Sequence, residues 1–248
     1  MNIPEDKLLL NEVFTSLQGE GKHIGYPVTF VRLFGCNMHC LFCDSAYTWD
    51  TTSTENKAHP EKKVVSYQEL ESLILKDIKK FKVQHLVFTG GEPLLQQDRL
   101  IEFFTLYKKK YNKLPYIEFE TNGTIKPKKE LDVFVDCYNV SPKLSKSMAG
   151  DAESTFFKRI NRDILQFFVR SKKATFKFVV KDGTDLNEVH KVVNDCHIPN
   201  DLVYLMPEGK NKRELSLTNV LVFNLALQNG FKFSPRLHIM LFDARRKV

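Results

Sequence analysis

Three of the chain's five cysteines fall within eight residues, in Cys36-Asn37-Met38-His39-Cys40-Leu41-Phe42-Cys43, with the spacing C-x3-C-x2-C. Three thiols on one short loop can converge on a metal, so the fold must hold that loop in place. Cys137 and Cys196 stand alone and far away. A closed tetrahedral zinc site takes four protein ligands, and a four-iron cube takes four thiolates. Three cysteines leave one metal position open, and an open position is where a metal does chemistry. His39 could close a zinc knuckle instead, although a histidine adjacent to Cys40 points poorly at the same tetrahedral ion.

A chain of 248 residues fits one α/β domain spanning 1–248 and can bury a substantial core. Hydrophobic content of 42% with mixed charge excludes disorder. No run approaches the roughly 18 apolar residues of a membrane span, so no membrane partner is expected. Met1-Asn2-Ile3-Pro4-Glu5-Asp6 does not read as a signal peptide. An odd number of cysteines, three of them clustered, is no disulfide framework and predicts a reducing, cytoplasmic setting. The net charge of +7 gathers at sites such as Lys108-Lys109-Lys110 and Lys210, Lys212 and Arg213. No aromatics interleave them, and they read as solvated helix ends with no direct nucleic-acid partner.

The pattern predicts a strand at 8–14, a Gly-punctuated loop through Ser16–Gly21, and a strand over 28–33 that runs into the cysteine loop. Residues 50–65 read as a polar loop or flap. Ser66-x-x-Glu69 is a capping box, and Leu70, Leu73, Ile74, Ile78 and Phe81 behind it keep helical rhythm. Strands are then predicted at 85–89, 116–120, 133–140, 175–180 and 202–206. Helices are predicted at 97–111, 127–132, 154–170, from Thr184 or Asp185 to about 196, and at 216–229, the last stopped by Gly230. Arg236–Phe242 alternates and predicts a last strand. Alternating strands and helices mean a parallel sheet with right-handed crossovers. Six such units are too few to close an eight-stranded barrel, which predicts an open, partial (β/α)6 barrel.

In such sheets ligands lie at the carboxyl ends of the strands. The cysteine loop follows the first of the six strands, and Thr89-Gly90-Gly91-Glu92-Pro93 follows the second. With C-x3-C-x2-C one unit upstream, this Gly-Gly-Glu resembles the radical S-adenosylmethionine (SAM) enzymes. The resemblance implies the open half-barrel and a [4Fe-4S] cluster on Cys36, Cys40 and Cys43. SAM would be chelated by the fourth iron and cleaved to a 5′-deoxyadenosyl radical. It implies SAM contacts at Gly91 and Glu92, at Ser141, Pro142 and Lys143, and at Lys177, Phe178, Val179 and Val180, with Pro207-Glu208 at the adenine end. Lys177 and Lys181 could equally be solvated strand-end lysines.

Leu17-Gln18-Gly19-Glu20-Gly21, Arg32, Ser45, Glu120-Thr121-Asn122-Gly123 and Ser141-Pro142-Lys143 together resemble one family within that group, the 7-carboxy-7-deazaguanine synthases of deazapurine and queuosine biosynthesis. That resemblance covers nearly the whole chain. It implies loss of ammonia from a pterin, 6-carboxy-5,6,7,8-tetrahydropterin, with Mg2+ at Ser45, a reductant such as a flavodoxin, and a homodimer. The implied substrate residues are Leu17, Gln18, Gly19, Glu20, Arg32, Thr89, Glu120 and His238. Arg32 suits a carboxylate because guanidinium pairs bidentately, and Glu120 suits a guanidine-like N–H pair. The plain alternatives are turn residues at Gln18 and Glu20, a buried ion pair at Arg32 and a helix cap at Ser45. Two other readings stay open. One is a radical SAM activase of a partner protein; a two-cluster ferredoxin insert would need about eight more cysteines, which the chain lacks. The other is a basic zinc module that grips RNA.

Overall fold

The computed structural model describes residues 4, 6–50, 62–148 and 159–248. Its sheet has nine strands: β1 (Lys7–Leu17), β2 (Pro27–Leu33), β3 (Lys63–Ser66), β4 (His85–Gly90), β5 (Tyr116–Thr121), β6 (Cys137–Val140), β7 (Ala174–Val180), β8 (Val203–Pro207) and β9 (Lys232–Phe233). Their order is β3-β1-β2-β4-β5-β6-β7-β8-β9, so the sheet is open, with β3 and β9 as its edges. β2, β4, β5, β6, β7 and β8 run parallel, as the six-unit reading predicts. β1 is antiparallel to both β2 and β3.

The helices are α1 (Tyr67–Phe81), α2 (Gln97–Tyr111), α3 (Lys129–Asp132), α4 (Arg162–Ser171), α5 (Gly183–Asp195), α6 (Lys212–Gln228) and α7 (Leu237–Phe242). Strand period two divides the sheet. Leu86 and Phe88 of β4, Ile117 and Phe119 of β5, Tyr138 and Val140 of β6, and Phe176, Phe178 and Val180 of β7 pack in one core. Leu70, Ile74, Phe104, Phe168, Val189 and Val222 meet them from the helices. The intervening residues, His85 and Thr89, Glu118 and Glu120, Cys137 and Asn139, Thr175 and Lys177, occupy the opposite face, and all but the half-buried Glu120 are buried. Among the described residues that face carries a small buried apolar cluster, Val28, Phe30 and Val87 with Phe14 against it. Among the described residues no helix is long and apolar enough to cross a membrane.

The elements depart from the sequence pattern in several places. Of the helix expected at 154–170, residues 154–158 lie outside the described residues and α4 starts only at Arg162, behind the cap Asn161, while α6 starts at Lys212 rather than at 216. Residues 51–61 of the expected 50–65 loop lie outside the described residues, but Lys63–Ser66 is a strand paired with Lys7–Leu10. α5 is capped by Asp182, whose carboxylate accepts from Thr184 N while Asp185 returns the bond, rather than by Thr184 or Asp185. β6 starts only at Cys137, because Phe134 and Val135 donate back to Leu131 and Asp132 in a turn closing α3. The expected final strand at 236–242 is instead helix α7. Pro235 cannot donate to a ladder and ends β9, and Met240 N bonds Arg236 O at 3.0 Å to wind the helix.

Candidate active site

The carboxyl end of β2 delivers the chain directly into the cysteine loop. Gly35 N–H donates to Thr48 O at 2.8 Å, Glu92 N–H to Gly35 O at 2.8 Å, and Leu41 N–H to Ser147 O at 2.8 Å. The Gly-Gly-Glu turn is thus strapped to the cysteine loop. A Cβ on Gly91 would stand 2.0 Å from Gly35 O, and one on Gly90, at φ +119, 2.1 Å from Leu33 O. The two glycines are therefore demanded by the contact between these turns, beyond any need of a ligand. Glu92 is 1% exposed and does not face the cleft. It braces the turn, accepting from Leu94 N at 3.0 Å, Asn122 N at 2.7 Å and Thr121 Oγ1 at 2.9 Å. Burial pushes its carboxyl up to about 7 against these donors.

The cleft, of about 350 Å³, is lined by all three clustered cysteines together with Leu17, Gln18, Gly19, Glu20, Arg32, Ser45, Thr89, Gly91, Glu120, Ser141, Lys143, Lys177, Val179 and His238. Five expected residues are not brought in, among them Pro207, whose neighbours Met206 and Glu208 do line the cleft. Glu92 is the brace just described, and Pro142 is not part of the lining. Phe178 and Val180 are fully buried in the helix-side core, since strand alternation gives the cleft only Lys177 and Val179. Lys177, expected with the SAM segment, instead reaches Glu20 at 2.5 Å.

One charge network organises the far wall. Glu20 binds Lys177 through one oxygen and Arg236 Nε at 2.9 Å through the other, with His238 Nε2 3.9 Å away. Burial opposes its charge, but Lys177, Arg236 and His238 hold the carboxyl well below the usual range. Arg236 also pairs with Asp44 and donates to Gly209 O. It ties the Gln-Gly-Glu-Gly loop to the residue after Cys43. Glu120 accepts from Thr89 Oγ1 at 2.6 Å and Gln18 Nε2 at 3.1 Å, so it is aimed by two neutral groups. Arg32 Nε donates to Glu12 at 2.8 Å, which makes it an ion-pair partner and a cleft residue at once. His238 lies on α7 rather than on a strand. It rests where a Cβ on Gly19 would be, 2.3 Å from its Nδ1.

Residues 31–179 match the model of the radical SAM superfamily. The 7-carboxy-7-deazaguanine synthase of Pyrobaculum aerophilum is 37% identical over 235 residues, 95% of each chain. The chain belongs to the 7-carboxy-7-deazaguanine synthase family. The synthase of Halobacterium salinarum is 35% identical over 95% of this chain and 91% of that one. The crystal structure of QueE from Escherichia coli shares the fold, with a TM-score of 0.64 at 23% identity over 94% of this chain and 95% of that one.

Members of the radical SAM superfamily use a [4Fe-4S] cluster and SAM, and the donors present fit both. The three thiols are free and half-buried, and all three line the same cleft. Burial raises the Cys36 thiol to about 11, and the nearby charges of Glu92, Cys40 and Cys43 add to the rise. Met38 N–H donates to Cys36 Sγ and Trp49 Nε1 to Cys43 Sγ, each at 3.4 Å, the hydrogen bonding to sulfur that iron–sulfur sites employ. His39 stacks on Trp49 at 4.6 Å. Trp49, Asp44, Arg236 and Asn139 also line the cleft and are not among the residues expected from the sequence. The sequence has a single tryptophan, beside the cysteines, and that was the available signal for Trp49. Arg236 and Asp44 are 192 residues apart, and nothing local couples them.

Proposed function

We propose that this member of the 7-carboxy-7-deazaguanine synthase family is a radical SAM lyase that converts 6-carboxy-5,6,7,8-tetrahydropterin to 7-carboxy-7-deazaguanine with loss of ammonia. The observation that carries the reading is the junction in one cleft of the three-cysteine loop with Glu120 and the cation-rich wall around Glu20. When bound, the cluster and SAM supply a carbon-centred radical that takes a hydrogen atom from the substrate.

The protein's own residues bind and orient. Cys36, Cys40 and Cys43 hold the cluster. Gly91 offers backbone to the SAM amino group. Ser141 and Lys143, whose side chains bond each other at 2.9 Å, take its carboxylate. The backbone of 177–180 and Glu208 border its nucleoside. Glu120, fixed by Thr89 and Gln18, accepts the pterin's guanidine-like N–H pair, and the backbone at Leu17 and Gly19 reads the ring edge. The substrate carboxylate lies against Arg32, with Glu12 on Nε setting the direction of the guanidinium, and against Lys177. Ser45 would offer Mg2+ one hydroxyl, a hard oxygen donor of the kind this ion takes. His238 covers the Gln18–Glu20 turn. A flavodoxin-like reductant, a homodimer and a cytoplasmic setting complete the proposal.

The test is an anaerobic incubation of reconstituted protein with SAM, dithionite, Mg2+ and the carboxypterin, read by chromatography with mass detection. The expected product is lighter by one ammonia, with SAM retained. Cleavage of SAM to 5′-deoxyadenosine without that product would reject the substrate, and SAM consumed in step with oxidation of a protein would favour an activase.

A further inference from the structure

The polar face of the sheet carries a second cluster, one layer below the cleft. His85 opens β4, Glu118 lies two residues before Glu120 on β5, and His23 comes in from the turn Gly21–His23. His23 Nδ1 is 2.7 Å and His85 Nε2 3.0 Å from the same oxygen, Glu118 Oε2. All three side chains are nearly sealed from solvent, at 11, 10 and 1% exposure. Among the described residues they form the group of His, Cys, Asp or Glu donors that converges within 4.8 Å. The rings of Tyr26 and Tyr116 stand edge-on to the histidines, at 5.3 Å from His23 and 4.6 Å from His85, and wall the cluster.

A hydrogen-bonded brace explains only half of this. The second oxygen, Glu118 Oε1, is buried and has no hydrogen-bond partner. A buried carboxylate with both donors on one oxygen and none on the other is under-satisfied. Two imidazoles and one carboxylate are the N,N,O donor set that zinc accepts. Donors bound at about 2.1 Å in a tetrahedron stand about 3.4 Å apart, so the observed contacts need open by less than about 1 Å. The site also has a structural use, since the apolar cluster of the half-barrel's interior, among the described residues, is small.

We propose that His23, His85 and Glu118 bind a structural zinc ion at the floor of the half-barrel, separate from the cysteine loop. The ion joins the two imidazoles and the Glu118 carboxylate and pins the Gly21–His23 turn to β4 and β5. That turn continues directly from Gln18-Gly19-Glu20. The proposal does not depend on the reaction assigned to the cleft.

The test uses the full chain with Cys36, Cys40 and Cys43 replaced by serine, which removes thiols that would compete for the metal. After exposure to Zn2+ and removal of the excess, elemental analysis is expected to find about one zinc per chain. Adding Glu118→Gln should lower the retained zinc at least about tenfold. Zinc content unchanged by Glu118→Gln, or a folded chain that retains none, overturns the site. Where Glu118→Gln fails to fold, Co2+ decides in the unsubstituted site. Visible bands of low-coordinate cobalt without a thiolate charge-transfer band support the N,N,O set, and their absence overturns it.

Discussion

Glu20→Gln is the substitution with the most to say about the cleft. The carboxylate is the direct partner of Lys177 at 2.5 Å, and the two side chains are 13% and 7% exposed. The substituted amide would keep the shape and remove the charge. Arg236 would retain Asp44 and Gly209 O, but Lys177 would keep only the more distant field of Glu120. Removing one member of a buried pair costs about 3–5 kcal/mol, and Arg236's remaining partners place this case at about 3–4 kcal/mol. At about 2–4 °C per kcal/mol for a chain of this size, Tm should fall by roughly 6–16 °C. The assay is urea unfolding of the reduced, iron-free chain, which removes cluster loss from the transition. Adding Lys177→Met to Glu20→Gln should return at least about 2 kcal/mol, because the stranded cation goes too. The pH dependence has a definite sign. Glu20 is held below its unfolded value, so its contribution is present above about pH 4.3 and is lost as pH falls toward its native value. That acid limb should flatten in Glu20→Gln. A loss under about 1 kcal/mol, or simple additivity of the two substitutions, would refute the claim that this pair organises the wall.

Cys36→Ala should lower cluster iron at least about tenfold, whereas the buried and distant Cys137→Ala should leave iron unchanged, both read by elemental analysis. Gly91→Ala forces a methyl to within 2.0 Å of Gly35 O and should cost more than about 3 kcal/mol in urea unfolding, with loss of iron binding. Glu92→Gln puts an amide N–H₂ in place of one carboxylate oxygen, facing Thr121 Oγ1 and either Leu94 N–H or Asn122 N–H, and should cost about 2–3 kcal/mol by the same assay. Trp49→Phe removes the indole N–H from Cys43 Sγ and should move the cluster potential to more negative values in a spectroscopic redox titration, while iron stoichiometry holds.

What was legible in the sequence follows from range. C-x3-C-x2-C, the capping box at Ser66 and the helix over 97–111 are local, and the structure contains them as read. The six parallel strands were legible because apolar runs between helical stretches leave few topologies. Leu237–Phe242 was not, since a short apolar run has no period that separates strand from helix, and Arg236's side chain, drawn toward Glu20 and Asp44, decides where it goes. Period two could have separated Lys177 and Val179 from Phe178 and Val180, given a side for Lys177. The partners of Glu20 were out of reach, since they lie 157 and 216 residues away.

Glu118 and Glu120 explain why the lower layer must be settled before the upper one can work. Two residues apart on β5, they face the same side, about 7 Å from each other. Two full charges at that distance repel by about 2.4 kcal/mol at an effective dielectric of 20. If both relied on shared cations, any substrate drawn to Glu120 would have to compete with Glu118. The structure gives each carboxylate its own partners. Glu118 takes His23 and His85, whose hydrogen bonds overcome burial and bring its carboxyl down to about 2. Glu120 takes only a hydroxyl and an amide, with Lys177 and Arg32 acting on it from a distance. A carboxylate that is aimed but not ion-paired is the one that can accept a guanidine-like edge without first breaking a salt bridge. The histidine layer therefore keeps Glu118 from sharing the cations near Glu120, even though it lies outside the cleft's walls.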